Sequence, residues 1–161
     1  DMPNVLIAYF TWSGNTRRIA ELIHSKVDGT LVEIQPEVSY PRSYNVVVNQ
    51  AKREISMSHK PPLKTKIEHI ESYDIIFVGS PNWWGTIAPP VATFLLGYDL
   101  RGKTIVPFST HGGGGQGRIS VDIAKLCPGS TILKGFSIYG GELGRAEAMI
   151  SAWLREIGIL M

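Results

Sequence analysis

Cysteine is almost absent: the chain has one, Cys127, in 161 residues. A single thiol excludes an internal disulfide framework and any zinc or iron–sulfur site built on cysteines. It suits a reducing, cytoplasmic location. Long apolar runs are missing too. None reaches the roughly 18 residues that a membrane-spanning helix requires, so no membrane partner is expected. No signal peptide is visible, and the opening Asp1-Met2 reads as a processed start. Net charge is only +2, too little to argue for a nucleic-acid partner. Acids are few against bases between Arg42 and Lys66, where Arg42, Lys52, Arg53, Lys60, Lys64 and Lys66 face one carboxylate, Glu54. That segment reads either as a solvated face or as a docking patch for an acidic partner.

What is present is the material of a core. Apolar residues make up 43% of the chain, which excludes a disordered polypeptide. The length suits a single domain over residues 1–161. Val5 to Phe10 is a continuous apolar run of β-formers, as in a strand buried on both faces. Ile19, Ile23 and Val27 recur at a spacing of four and predict a helix over Thr16 to Val27, stopped by Asp28-Gly29. Further strands are predicted at Thr30 to Ile34, Asp74 to Gly79 and Thr104 to Phe108. A fifth falls within Thr131 to Tyr139, interrupted by Gly135. Helical patterns lie between them: one after Pro89-Pro90, one through Ile119, Ile123 and Leu126, and one from Ala146 to Ile157. Strands alternating with helices imply right-handed crossovers and a three-layer α/β sandwich with a doubly wound, five-stranded parallel sheet. About forty residues between the second and third strands exceed a simple crossover. There, Tyr44 to Ser56 suits a helix, His59 to Pro62 an extended run, and Leu63 to Ile70 a short helical turn.

In such a sheet, ligands bind beyond the carboxyl ends of the strands. The loops there are the oddest stretches of the chain. The first, Thr11-Trp12-Ser13-Gly14-Asn15-Thr16, crowds three hydroxyls and an amide at a helix start. One such residue suffices as a cap; several beside unpaired N–H groups suit a phosphate. No lysine follows Gly14 as in G-x-x-x-x-G-K-[ST], and G-x-G-x-x-G is absent, so a phosphate monoester is expected. The second, Ser80 with Pro81-Asn82-Trp83-Trp84-Gly85, places two tryptophans side by side. One can plug the core, and the other is free to stack on a flat ligand. The third, Ser109-Thr110-His111-Gly112-Gly113 continuing to Gly117, has five glycines in its last six residues. Glycine there permits close backbone approach and a nest of N–H groups. A phosphorylated planar ring meets all three demands, and flavin mononucleotide (FMN) is the economical candidate.

With those loops in hand, the chain resembles the flavodoxins, in a branch carrying P-N-W-W-G and T-H-G-G-G. The likeness runs from the first loop through Tyr73-Asp74, Pro81 to Gly85, Gly102-Lys103, Thr110-His111 and Trp153-Leu154. It implies strand order 2-1-3-4-5 and non-covalent FMN, with the first loop on the phosphate and the others flanking the ring. It also implies one-electron transfer to a redox partner, with the protein tuning the flavin. A phosphate-regulated receiver domain shares the fold type, but Phe10-Thr11 and Gly79-Ser80 lack the acidic cluster that it needs. Two features depart from the flavodoxin pattern. The chain is basic, with pI ≈ 8.7, whereas familiar members are acidic. The third loop has His111 and glycines where a tyrosine is common, which would leave the ring's outer face bare for a small-molecule acceptor. An FMN-dependent NAD(P)H:quinone-type reductase is therefore the alternative. With no carboxylate from Thr11 to Arg18 or from Ser109 to Gln116, and with His111 and Arg118 at hand, the second electron should enter more easily than in acidic relatives.

Overall fold

The computed structural model describes residues 3–161. The apolar runs form β1 (Val5–Tyr9), β2 (Thr30–Glu33), β3 (Ile75–Pro81) and β4 (Thr104–His111). These lie in the order β2-β1-β3-β4, every pair parallel. The fifth place is shared by β5 (Thr131–Ile132) and β6 (Phe136–Tyr139), both paired to β4. The expected order 2-1-3-4-5 is therefore present, and the fifth strand is broken in two at the expected interruption, Gly135. Pro107 of β4 lies opposite the break and has no N–H to donate. The Lys134 carbonyl there takes the Trp153 indole N–H instead, at 2.9 Å.

Alternation along the strands divides the core between the two faces. Leu6, Ala8, Ile76, Val78 and Ile105 point to one side, covered by α3 (Pro89–Leu96) and α4 (Ile119–Leu126). Ile7, Phe77, Val106 and Phe108 point to the other, covered by α1 (Asn15–Val27) and α5 (Ala146–Glu156). Each fully buried Ile, Leu or Phe contributes about 1.5–3 kcal/mol. Gly79 in β3 is glycine because a Cβ there would collide with the Phe108 ring on β4.

The long insertion forms the expected helix, α2 (Tyr44–Ser56), but no helical turn over Leu63 to Ile70. Leu63 makes an antiparallel bridge to Pro36. The Lys64 N–H donates to Gln35 O, and Thr65 Oγ1 donates to Glu33 O. The segment thus extends the open edge beside β2, and those ladder groups outweigh a weak local helix preference. A single 3-10 turn forms later, at Ile70–Ser72. Tyr40 holds α2 down. Its hydroxyl donates to Glu54 Oε1 at 2.6 Å, while Gln50 Nε2 donates to Glu54 Oε2 at 2.9 Å. Its ring meets Phe10 and Trp83 edge-on. Burial, and then the Glu54 carboxylate, push the Tyr40 hydroxyl's pKa well above the ordinary phenol range.

Two outcomes follow from this packing. Gly79→Ala should lower stability by about 1–3 kcal/mol through overpacking. Gly144→Ala, where a Cβ meets nothing within 4 Å, should change it by less than about 0.5 kcal/mol. Urea midpoints compare the two, and equal losses would contradict the Phe108 clash. For Tyr40, the folded state favours the neutral phenol, so its contribution is fully present below about pH 10, the ordinary tyrosine value, and is lost as pH rises further. Urea midpoints between neutral and strongly alkaline pH should fall less steeply in Tyr40→Phe than in the native chain.

Candidate functional site

The carboxyl ends of β1, β3 and β4 lie side by side because Ser80 registers with Ser109 and Pro81 with Thr110. Several residues that read as loop are thus the last residues of strands. Asn15, rather than Thr16, opens α1.

The first loop turns through Gly14, whose φ of +100° suits glycine. Thr11 Oγ1 accepts the N–H of Gly14 at 3.1 Å and that of Arg17 at 3.4 Å. The N–H groups of Trp12, Ser13, Asn15 and Thr16 have no acceptor among the described residues. That cluster of free donors, at the positive end of a helix without an acid in its first turn, has the chemistry to receive an anion. Thr16 is 1% exposed, and its Oγ1 lies 2.9 Å from Thr110 Oγ1, so its side chain ties α1 to β4.

The second loop is built by Asn82. Its N–H donates to Thr110 O, its Oδ1 accepts the Gly85 N–H, and its Nδ2 donates to Gly115 O. The chain reverses through Trp84 and Gly85, both at positive φ. A tryptophan at φ +57° is strained. The two indoles divide as their number suggested. Trp83 packs on Phe10 and Tyr40. Trp84 is 53% exposed, donates Nε1–H to Val48 O and carries Lys52 Nζ over its ring at 5.2 Å.

In the third loop, His111 Nδ1 accepts the Gly113 N–H at 3.0 Å. Ser109 is fully buried and donates to Ser137 Oγ. Gly117 lies where a Cβ would strike Gly85 O, and the Arg118 N–H donates to that same oxygen. The glycine run is therefore pinned to the second loop. Arg118 does not turn toward the other loops. It pairs with Asp122 one helical turn on, at 3.3 Å, and that carboxylate also accepts the Thr86 hydroxyl.

These elements enclose a cavity of about 500 Å³. Trp12, Ser13 and Asn15 line it from the first loop, and Pro81, Asn82, Trp83 and Trp84 from the second. Thr110, His111 and Gly112 come from the third. Thr11, Gly14, Thr16, Gly85, Ser109 and Gly113 are not on its wall; they shape the backbone behind it. The roof is α2, through Tyr44, Val47, Val48 and Ala51. Gly140 closes the far side, so tight on Asn15 that a Cβ would sit 2.9 Å from its Nδ2. Sequence reasoning missed α2 as a wall, although the excess length of the insertion was its signal. Tyr44 stands 6.3 Å from the Trp12 ring and supplies the aromatic that the third loop lacks. Among the described residues, no Asp, Glu, Lys or Arg lines the cavity. The wall can therefore hold a planar, polar ligand by backbone donors and aromatic faces, and it carries no carboxylate to drive proton transfer. No group of metal-ligating side chains occurs among the described residues, and no helix there is long and apolar enough to cross a membrane.

Comparison with known proteins agrees with this fold. A candidate flavoprotein from Bacteroides eggerthii is 33% identical, with TM-score 0.84 over 96% of this chain and 98% of its own. A Lactobacillus acidophilus flavoprotein solved in complex with FMN is 24% identical, with TM-score 0.70 over 89% of this chain and 97% of its own; at that identity the likeness is one of fold. A Cupriavidus metallidurans NAD(P)H dehydrogenase (quinone) is 28% identical over 96 residues, 58% of this chain. The match spans about half of that relative's length, 46%. The family model described as Flavodoxin matches residues 4–157, and the chain belongs to the flavodoxin family.

Proposed function

We infer that the chain binds FMN in the cavity roofed by α2 and works as an electron carrier. The observation that carries this reading is the donor cluster at the start of α1 opening onto an uncharged, aromatic-walled cavity of about 500 Å³, a size that suits one cofactor-sized ligand. Ser13, Asn15 and the free N–H groups of Trp12, Ser13, Asn15 and Thr16 would hold the phosphate. Trp84, Tyr44 and the backbone of Asn82, His111 and Gly112 would border the ring. When bound, FMN supplies one-electron redox chemistry; this chain's residues bind it, orient it and limit its contact with water. The FMN-bound Lactobacillus acidophilus relative supports the cofactor by likeness of fold. The quinone dehydrogenase relative, together with His111 on the wall, favours the second reading, an NAD(P)H:quinone-type reductase. An electron carrier needs no acid or base beside the ring, and the wall offers no carboxylate, which ranks the carrier first. Anaerobic titration decides between them: steady oxidation of NADH or NADPH in the presence of a quinone would overturn the carrier reading.

Each hydrogen bond to a charged phosphate is worth about 1.5–3 kcal/mol. Ser13→Ala with Asn15→Ala should therefore weaken FMN at least about tenfold while riboflavin binding changes little. Equal losses for the two ligands, measured by fluorescence titration, would contradict the phosphate assignment. The uncharged wall also bears on the potentials. The two one-electron potentials of the FMN-loaded protein should lie closer together than in acidic members of the family, because no carboxylate opposes the second electron. A strongly depressed second potential in a potentiometric titration would refute this. Arg118, held by Asp122, takes no part in the effect.

A further inference from the structure

We propose that the basic face around the cavity is the docking surface for an acidic redox protein, an inference that rests on reading the chain as an FMN electron carrier. Arg42, Lys52, Arg53, Lys60, Lys64 and Lys66 are all exposed, and none forms an ion pair among the described residues. Of the ten Lys and Arg residues elsewhere, six meet a carboxylate: Arg17, Lys26, Arg101, Arg118, Lys134 and Arg145. Glu54, the acid inside the segment, is occupied by Tyr40 and Gln50. Glu37 and Glu68 flank the segment and leave it net positive.

Four of these cations border the proposed flavin site. Arg42 and Lys64 line a hollow of about 280 Å³ that shares Trp12 with the cavity. Lys52 sits over Trp84, which is on the cavity wall. Lys60 lines a second hollow that reaches Thr86, next to the Trp84-Gly85 turn. Exposed apolar side chains lie within the same ring. Tyr44 is 69% exposed, Met57 73% and Trp84 53%. An apolar centre with a rim of one charge is the pattern of a transient protein interface. The unneutralised rim selects a partner of opposite sign and steers it toward the site that exchanges electrons.

Two measurements on the FMN-loaded protein test this. The first is stopped-flow electron transfer to a strongly acidic plant-type ferredoxin and to a strongly basic cytochrome c, at ionic strengths from about 0.01 M to 1 M, over which the Debye length falls from about 30 to 3 Å. Steering raises encounter rates by about 10- to 1,000-fold, so the ferredoxin rate constant should fall at least about tenfold with salt, and the cytochrome rate should not. Arg53→Glu with Lys60→Glu should abolish the fall. Lys134→Glu with Arg155→Glu, an equal charge change on the α5 side, should preserve it. The second is an NMR titration of the labelled chain with the same ferredoxin. Shifts should cluster on α2, Trp84 and residues 57–64, and should disappear at high salt. The proposal is overturned by a salt-independent ferredoxin rate, by equal loss in both double variants, or by shifts elsewhere. It is also overturned if single-stranded RNA produces the clustered shifts and ferredoxin does not, which would assign the face to nucleic acid. A chain that retains no FMN defeats the carrier reading, and the NMR titration still decides whether the face docks an acidic protein.

Discussion

Thr110 is where the parts of the site meet. Its Oγ1 shares a hydrogen bond with Thr16 at the start of α1, and its carbonyl accepts the Asn82 N–H from the second loop. Its backbone pairs with Pro81 on one side and Ile138 on the other. A buried hydroxyl pair left half-made would cost about 1–3 kcal/mol, so the three loops hold a common register at the end of β4. The parallel pairing of β1, β3 and β4 brings the loops to one edge. Thr110 sets how they face each other.

Around that junction the structure combines rigid and strained pieces. Asn82 closes its own turn with both side-chain polar atoms and reaches across to Gly115. Gly117 lies so close to Gly85 that a Cβ there would strike its carbonyl, and the Arg118 N–H ties the two loops at that oxygen. Trp84 pays for this arrangement with a left-handed backbone, and the Val48 carbonyl that receives its indole N–H belongs to the roof helix. The strain at Trp84 and the position of α2 are therefore linked. Tyr40 and Glu54 hold the same helix from beneath. A helix fixed at both places makes a stable roof over the cavity and carries the basic side chains on its exposed face.

Much of the architecture was legible in the chain itself. Continuous apolar runs marked β1, β3 and β4, because strands buried on both faces have no polar side to show. Alternation of these runs with amphipathic helices pointed to a doubly wound parallel sheet, and the resemblance to flavodoxins implied its order. The three loops announced themselves by composition: hydroxyls around Gly14, paired tryptophans, and a glycine run. The sequence also pointed to unequal burial of the paired tryptophans, and Trp83 packs on Phe10 and Tyr40 while Trp84 is exposed.

What the sequence could not decide depends on contacts between distant residues. The interruption at Gly135 could be read locally, but not that Pro107 of β4 lies opposite it. The extended course of Leu63 to Thr65 follows from the open edge at β2, which outbids a weak local preference. Arg118 is taken out of the site by Asp122, and the roof over the cavity comes from α2, whose Tyr44 supplies an aromatic that the third loop lacks. Local patterning records which face of each element is buried, and so determines the layers. The lining of a cavity depends on which elements come to share it, and that is decided when the whole chain packs.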